Sequence, residues 1–175
     1  MKNTLFTLVA LLSLAGIALA DQTPDRKVLV FKSRDGVAIQ GYDPVAYFTD
    51  NKPAKGNPKF QSEYEGAKYF FVAPEHKMLF DANPAKYAPA YGGYCGYAAS
   101  IGKVRPANPL VWSIVDGQLI VQHTKAAAEL WEKDVSGNKA KADKYWPLLV
   151  EAKAGKKNPV DSLLGKSVLD LAAIK

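Results

Sequence analysis

Cysteine, histidine and methionine are all scarce here: one, two and two residues respectively in a chain of 175. A lone cysteine cannot close a disulfide within its own chain, so Cys95 is free, metal-bound or paired with another molecule. A closed structural zinc site draws four ligands, usually several Cys and His, and that set is missing. Any metal site must therefore be open, shared, or completed by oxygen ligands. The chain also lacks a glycine-rich phosphate loop ending in Lys-Ser or Lys-Thr, a Gly-x-Ser-x-Gly elbow and a His-Glu-x-x-His helix, so hydrolase chemistry has no visible support. The net charge of +6 and the pI near 9.2 come from lysines spread along the chain, with only weak concentrations at 139–144 and 153–157. No basic block interleaves with stacking aromatics, which argues against a nucleic-acid partner. No internal repeat and no low-complexity run stand out.

A long apolar run occurs once, at the start. Lys2 is the only charge in the first 20 residues, Leu5 to Ile17 is the apolar core, and Ala18-Leu19-Ala20 precedes Asp21. That order is the one a secretory signal peptide requires, and the run is shorter than the roughly 20 residues of a membrane-spanning helix. Residues 1–20 are therefore expected to be cleaved near Ala20/Asp21, leaving a periplasmic or secreted chain without a transmembrane segment. What remains is in the size range of one domain with its own core.

Residues 21–40 form an extension in which Lys27-Val28-Leu29-Val30-Phe31 reads as a short strand, followed by a turn at Ser33-Arg34-Asp35-Gly36. Residues 41–155 are the expected main domain. Asp43-Pro44 opens a short helix through Phe48, with Asp43 suited to the N-cap and Pro44 to the first helical position. Residues 60–64 and 68–72 read as a hairpin. Pro74 starts a helix that stops before Asn83-Pro84, which begins a further turn toward Tyr87. A second hairpin, 111–115 with 118–121, surrounds Asp116-Gly117, a pair suited to a tight turn. From Thr124 the chain turns helical, with a break at Ser136-Gly137-Asn138 and a kink or restart at Pro147. Asn158-Pro159 then caps a last segment, within 156–175, whose Leu163, Leu164, Val168 and Leu171 fall near one face. Antiparallel hairpins separated by helices make the class α+β.

Tyr87 to Gly102 is the densest concentration of Gly and Tyr. Within it Tyr91-Gly92-Gly93-Tyr94 leads into Cys95. The paired glycines leave room beside the thiol, and a short helix starting at Cys95 would aim N–H dipoles at the sulfur and lower its pKa. Cys95 reads as a reactive or metal-binding thiolate, or as a small buried residue under an aromatic cap. The only imidazoles are His76 and His123, neither at a recognised ligand spacing from Cys95. Asp43 suits a harder ion as well as the N-cap. Met78 lies two positions from His76, so the pair would not face together, and core packing suits it better. Tyr91, Tyr94, Tyr97 and Tyr42 either line a cleft or pack around the glycines.

Several segments in order resemble the YHS domain family. They are Gly41-Tyr42-Asp43-Pro44-Val45-Ala46-Tyr47-Phe48, Tyr64-Glu65-Gly66 with Tyr69-Phe70-Phe71, Phe80 to Pro89, Tyr91-Gly92-Gly93-Tyr94-Cys95, Val115 to Leu119, and Ala142 to Pro147. The resemblance is strongest to exported, stand-alone members, some of which carry selenocysteine at the position of Cys95. It implies a small metal-binding module and a functional Cys95. The expected function is thus an exported copper- or zinc-binding protein with Cys95 as principal ligand, helped by His76 and Asp43. Two alternatives stand beside it: a thiol redox protein that forms a mixed disulfide or sulfenic acid at Cys95, and a non-catalytic domain that docks on another envelope protein. A metal ion or an envelope protein is accordingly the expected partner.

Overall fold

The computed structural model describes residues 27–154. The expected signal peptide and the C-terminal segment with Leu163, Leu164 and Leu171 lie outside the described residues. The described chain is α+β, as the residue pattern implies. It contains α1 (Ala46–Thr49), strands β1 (Asn57–Tyr64) and β2 (Ala67–Phe71), helices α2 (Pro74–Ala82), α3 (Pro84–Tyr87) and α4 (Gly96–Ser100), strands β3 (Asn108–Val115) and β4 (Gln118–Gln122), and helices α5 (Lys125–Glu132) and α6 (Val135–Lys153). Single 3-10 turns at Ile39–Gly41 and Ala90–Gly93 precede α1 and α4. Each hairpin is a separate two-stranded antiparallel sheet.

Both hairpins close through two residues at positive φ, Glu65-Gly66 and Asp116-Gly117. That backbone matches the twist of the flanking strands, which is why an acidic residue followed by glycine is legible as a turn. Each hairpin then feeds a helix that lays one large aromatic, Phe80 from α2 and Trp131 from α5, into the interior. The core around β1 and β2 gathers Tyr47, Tyr69, Phe71, Phe80 and Tyr87, and reaches across to Leu119 and Val121 of β4. Ile120, Trp131 and Ala142 form a second cluster, and Leu29, Tyr94, Val104 and Leu149 a third.

Four local expectations change. Lys27 to Phe31 is extended but joins no ladder. It lies across the Ala90–Gly93 turn, and the Phe31 N–H donates to the Gly92 carbonyl at 2.8 Å. The helical break falls at Lys133-Asp134, because the Asp134 side chain accepts from the Gly137 N–H and makes Ser136-Gly137-Asn138 the first turn of α6. Helix α6 does not restart at Pro147; it runs through that residue to Lys153. Met78 is 69% exposed on α2 and contributes nothing to the core.

Gly92 sits at φ +56, and a methyl group added there would collide with the backbone of Leu29. Gly92→Ala is therefore expected to lift residues 27–31 off the turn and lower stability by about 2–4 kcal/mol, from strain plus lost burial of Leu29. A denaturant unfolding curve measures this.

The chain also contains an internal repeat that the sequence alone does not reveal. Gly41-Tyr42-Asp43 and Gly93-Tyr94-Cys95 each follow a turn at positive φ. Asp43 donates its N–H to Ala54 O at 2.8 Å, and Cys95 donates to Arg105 O at 3.0 Å. Tyr42 bridges Lys55 as Tyr94 bridges Pro106. Asn57 and Asn108 each accept from the N–H two residues on, both at 3.0 Å, and each opens a strand whose register shifts before pairing resumes at Gln61 and Trp112. Each unit is thus a turn, a short helix, a hairpin and a longer helix, in that order.

Candidate functional site

The repeat places Asp43 and Cys95 at matching positions, and their hydrogen bonds match too. The Asp43 carboxylate is fully buried. It accepts from Val45 N at 2.8 Å and Ala46 N at 3.3 Å, capping α1, and from Val72 N at 2.8 Å just past β2. Cys95 Sγ accepts from Ala98 N at 3.4 Å, and the N–H groups of Tyr97 and His123 also point at it. Tyr97 and Ala98 correspond to Val45 and Ala46, and His123 to Val72. One acceptor thus ties the start of a short helix to the end of a hairpin in each unit.

The units differ in what they add. In the first, His76 on α2 brings Nδ1 to 2.7 Å from Asp43 Oδ2. An acceptor there holds a hydrogen on Nδ1 and turns Nε2 toward the end of α1. Nε2 lies 3.3 Å from Thr49 Oγ1 and 3.8 Å from Asp50 Oδ1, at the C-terminal end of α1. The imidazole keeps 14% of its side-chain surface exposed, against none for Asp43 and 34% for Asp50. The result is an oriented ring nitrogen beside a carboxylate and a hydroxyl, with access to solvent.

In the second unit Ala127 stands where His76 would be, and Gln122 supplies the polar partner. Its Oε1 accepts from Tyr97 N at 3.0 Å and from the Cys95 thiol at 3.2 Å, while its buried Nε2 has no protein partner among the described residues. Cys95 is 1% exposed. Burial pushes its pKa up, and the surrounding N–H groups and Arg105 only partly offset that. The helix start at Cys95 does aim dipoles at the sulfur as expected, but the cost of ionising a group sealed from water outweighs them, so the shift has the opposite sign.

The sequence-derived candidates therefore separate into two places. His76 and Asp43 meet; Cys95 stands in the other unit, away from both. His123 reaches Cys95 through its backbone, and its ring donates from Nδ1 to Pro106 O at 2.8 Å. Tyr91 donates to Asp143 Oδ1 at 2.9 Å and packs its ring on Trp146, while Tyr94 packs between Phe31 and Trp146; burial raises the Tyr94 pKa to about 12. Tyr42 lies under the Lys55 ammonium, 4.4 Å from its ring centroid. Gly92 and Gly93 hold the turn that receives Leu29 and Ile39. These residues pack around the glycines and do not open a cleft to sulfur. Thr49 and Asp50 carried no motif in the sequence; only the meeting of α1 and α2 reveals them.

No cluster of three or more His, Cys, Asp or Glu side chains with metal-binding geometry occurs among the described residues. The donors that do converge, one imidazole nitrogen with one carboxylate and a hydroxyl, fit an open site for a borderline divalent ion completed by water. They do not fit a closed structural site. None of the helices among the described residues is long and apolar enough to cross a membrane.

Comparison with known proteins gives one match. Residues 45–91 match the model of the YHS domain, a span that includes His76, Thr49 and Asp50, begins just after Asp43 and ends before Cys95. No curated protein and no solved structure matches the chain.

Proposed function

Starting from the YHS domain carried at residues 45–91, we propose that this protein handles a metal ion outside the cytoplasm, with His76 Nε2 as the ligand that defines the site. The observation carrying this reading is the 2.7 Å contact from buried Asp43 to His76 Nδ1. A carboxylate behind the ring fixes tautomer and orientation and raises ligand basicity, an arrangement common behind metal-bound histidines. Asp50 and Thr49 supply oxygen donors, and water completes the shell. An N/O set of this kind suits Zn²⁺ or Cu²⁺; Cu(I) prefers sulfur, which Cys95 keeps sealed. Bound there, the ion would be held for transfer or sensing, because the imidazole and Asp50 keep contact with solvent and few protein donors converge on it. Export rests on the leader-like first 20 residues. A redox role would need an accessible thiol of low pKa, and Cys95 has neither property. The envelope-docking alternative relies on residues 156–175, outside the described structure.

Calorimetric titration of the chain with Zn²⁺ and with Cu²⁺ tests the reading. His76→Ala is expected to weaken binding by about tenfold or more, while Cys95→Ser leaves it unchanged. Loss of affinity in Cys95→Ser with His76→Ala unaffected would return the site to the thiol.

A further inference from the structure

Each hairpin has one strand whose outer side meets the rest of the chain and one whose outer side does not. Beyond β2, Gly36 and Ala38 exchange backbone bonds with Lys68, and beyond β4, Cys95 bridges Val121. The outer side of β3 takes no backbone partner among the described residues, and neither does that of β1 at Gln61 and Glu63. The turn fixes which groups of β3 are left over. Val115 and Gln118 flank the two-residue turn at Asp116-Gly117 and exchange the first bonds of the ladder. Pairs then alternate, so Trp112 and Ile114, opposite Val121 and Leu119, aim their N–H and C=O groups away from β4.

An open strand edge of this kind is ordinarily guarded by charge. β1 is guarded, since Lys59, Gln61 and Glu63 stand exposed along it. The repeat sets Leu110, Trp112 and Ile114 at those three places, and no charged residue occurs from Pro106 to Val115. Trp112 is accounted for by its ring contact with Tyr47, 5.1 Å between centroids. Leu110 and Ile114 are not, being 58% and 38% exposed on either side of it.

We infer that the outer edge of β3 is a contact for a second copy of this chain, which lays its own β3 alongside in the antiparallel sense. With Ser113 on the two-fold axis, Trp112 of each copy faces Ile114 of the other and exchanges both backbone bonds with it, giving the sheet order β4-β3-β3-β4. Trp112 then lies beside a β-branched side chain across the seam, a favourable neighbour pair, with Leu110 at its rim. The occupant is a second copy because a two-fold contact uses one patch twice, and this patch matches itself: the outward bonding groups recur two residues apart, and uncharged surface meets uncharged surface. The same arrangement on β1 would bring two Glu63 carboxylates to one seam, which like charge disfavours. The inference does not depend on the metal site.

Sedimentation equilibrium of the chain in the presence of a metal chelator tests this, together with amide hydrogen exchange over the same concentrations. A contact this small is weak, so the mass should rise toward that of a dimer at about 0.1–1 mM. Over that range the Trp112 and Ile114 amides should gain protection, and those of Gln61 and Glu63 should not. Ile114→Glu copies the charge that β1 carries at the matching place and should weaken association by about tenfold or more. Leu110→Lys, a change at the more exposed side chain, should weaken it as well while leaving the unfolding midpoint in place. A chain that stays monomeric at about 1 mM overturns the inference, as does a dimer that survives both substitutions or that protects Gln61 and Glu63 instead. Protection of Trp112 and Ile114 in the monomer overturns it equally, since another segment of the same chain would then cover the edge.

Discussion

Asp43→Ala is expected to cost about 3–5 kcal/mol in a guanidinium unfolding experiment, a large share of the 5–15 kcal/mol that holds a domain of this size together. The carboxylate satisfies Val45 N, Ala46 N and Val72 N and is itself out of contact with water. Its removal leaves two buried donors and one part-buried donor unpaired, at about 1–3 kcal/mol for each buried one taken singly, and the losses overlap because the groups share one niche. The imidazole of His76 also loses its anchor. The matched change in the other unit, Cys95→Ala, removes a weak sulfur acceptor and a small volume, and is expected to cost only about 1–2 kcal/mol. Equal losses at the two positions would show that Asp43 fills space and does not hold the first unit's helix to its hairpin.

That contrast explains how much the residues themselves disclose. Asp43 before Pro44 is legible as a cap, because a short acidic side chain ahead of proline satisfies orphan N–H groups whatever surrounds it. The hairpins are legible for a similar reason: Glu65-Gly66 and Asp116-Gly117 state their turn locally. The bond from Asp43 to Val72 is not legible, since it joins residues brought together by the core around Tyr47, Tyr69 and Phe71 and by backbone bonds between residues 36–38 and Lys68. His76 stands out as one of two histidines, but its value lies in which nitrogen is held, and the sequence says nothing of that. Cys95 draws attention through rarity and glycine neighbours. Its environment is set by Gln122 and the backbone of His123, both far along the chain, and the burial they create reverses the expected direction of its pKa. The repeat hides for a related reason. The units share an Asn-Pro strand start, an acidic-Gly turn and a Gly-Tyr pair, while Asp43 and Cys95, Phe71 and Gln122, or Phe80 and Trp131 fill equivalent places with unlike residues. Hydrogen-bond geometry was kept where side-chain identity was not.

Alkaline pH should unfold this protein steeply. Tyr47, Tyr69, Tyr91 and Tyr94 all have phenol pKa values raised above the ordinary 10.0, chiefly by burial, with Tyr91 further raised by its bond to the Asp143 carboxylate. Cys95 is raised above 9.0 for the same reason. In each case the native state holds its proton at a pH where the unfolded chain has released it. The unfolded state then binds fewer protons, so stability falls as pH rises. These groups contribute nothing to the pH dependence below about pH 8. Loss begins near pH 9 with Cys95 and grows from pH 10. Each fully suppressed group then adds a slope of about 1.4 kcal/mol per pH unit, with Tyr47 and Tyr69, both 1% exposed, nearest to that limit and the others below it. A total loss of several kcal/mol by pH 12 follows, enough to exhaust the stability of an ordinary domain. Unfolding midpoints measured from pH 8 to 12, alongside tyrosinate absorbance, decide the matter. Absorbance from the buried phenols should appear only together with unfolding, and a smooth titration of all nine tyrosines near pH 10 in a still-folded chain would contradict the burial that the core packing requires.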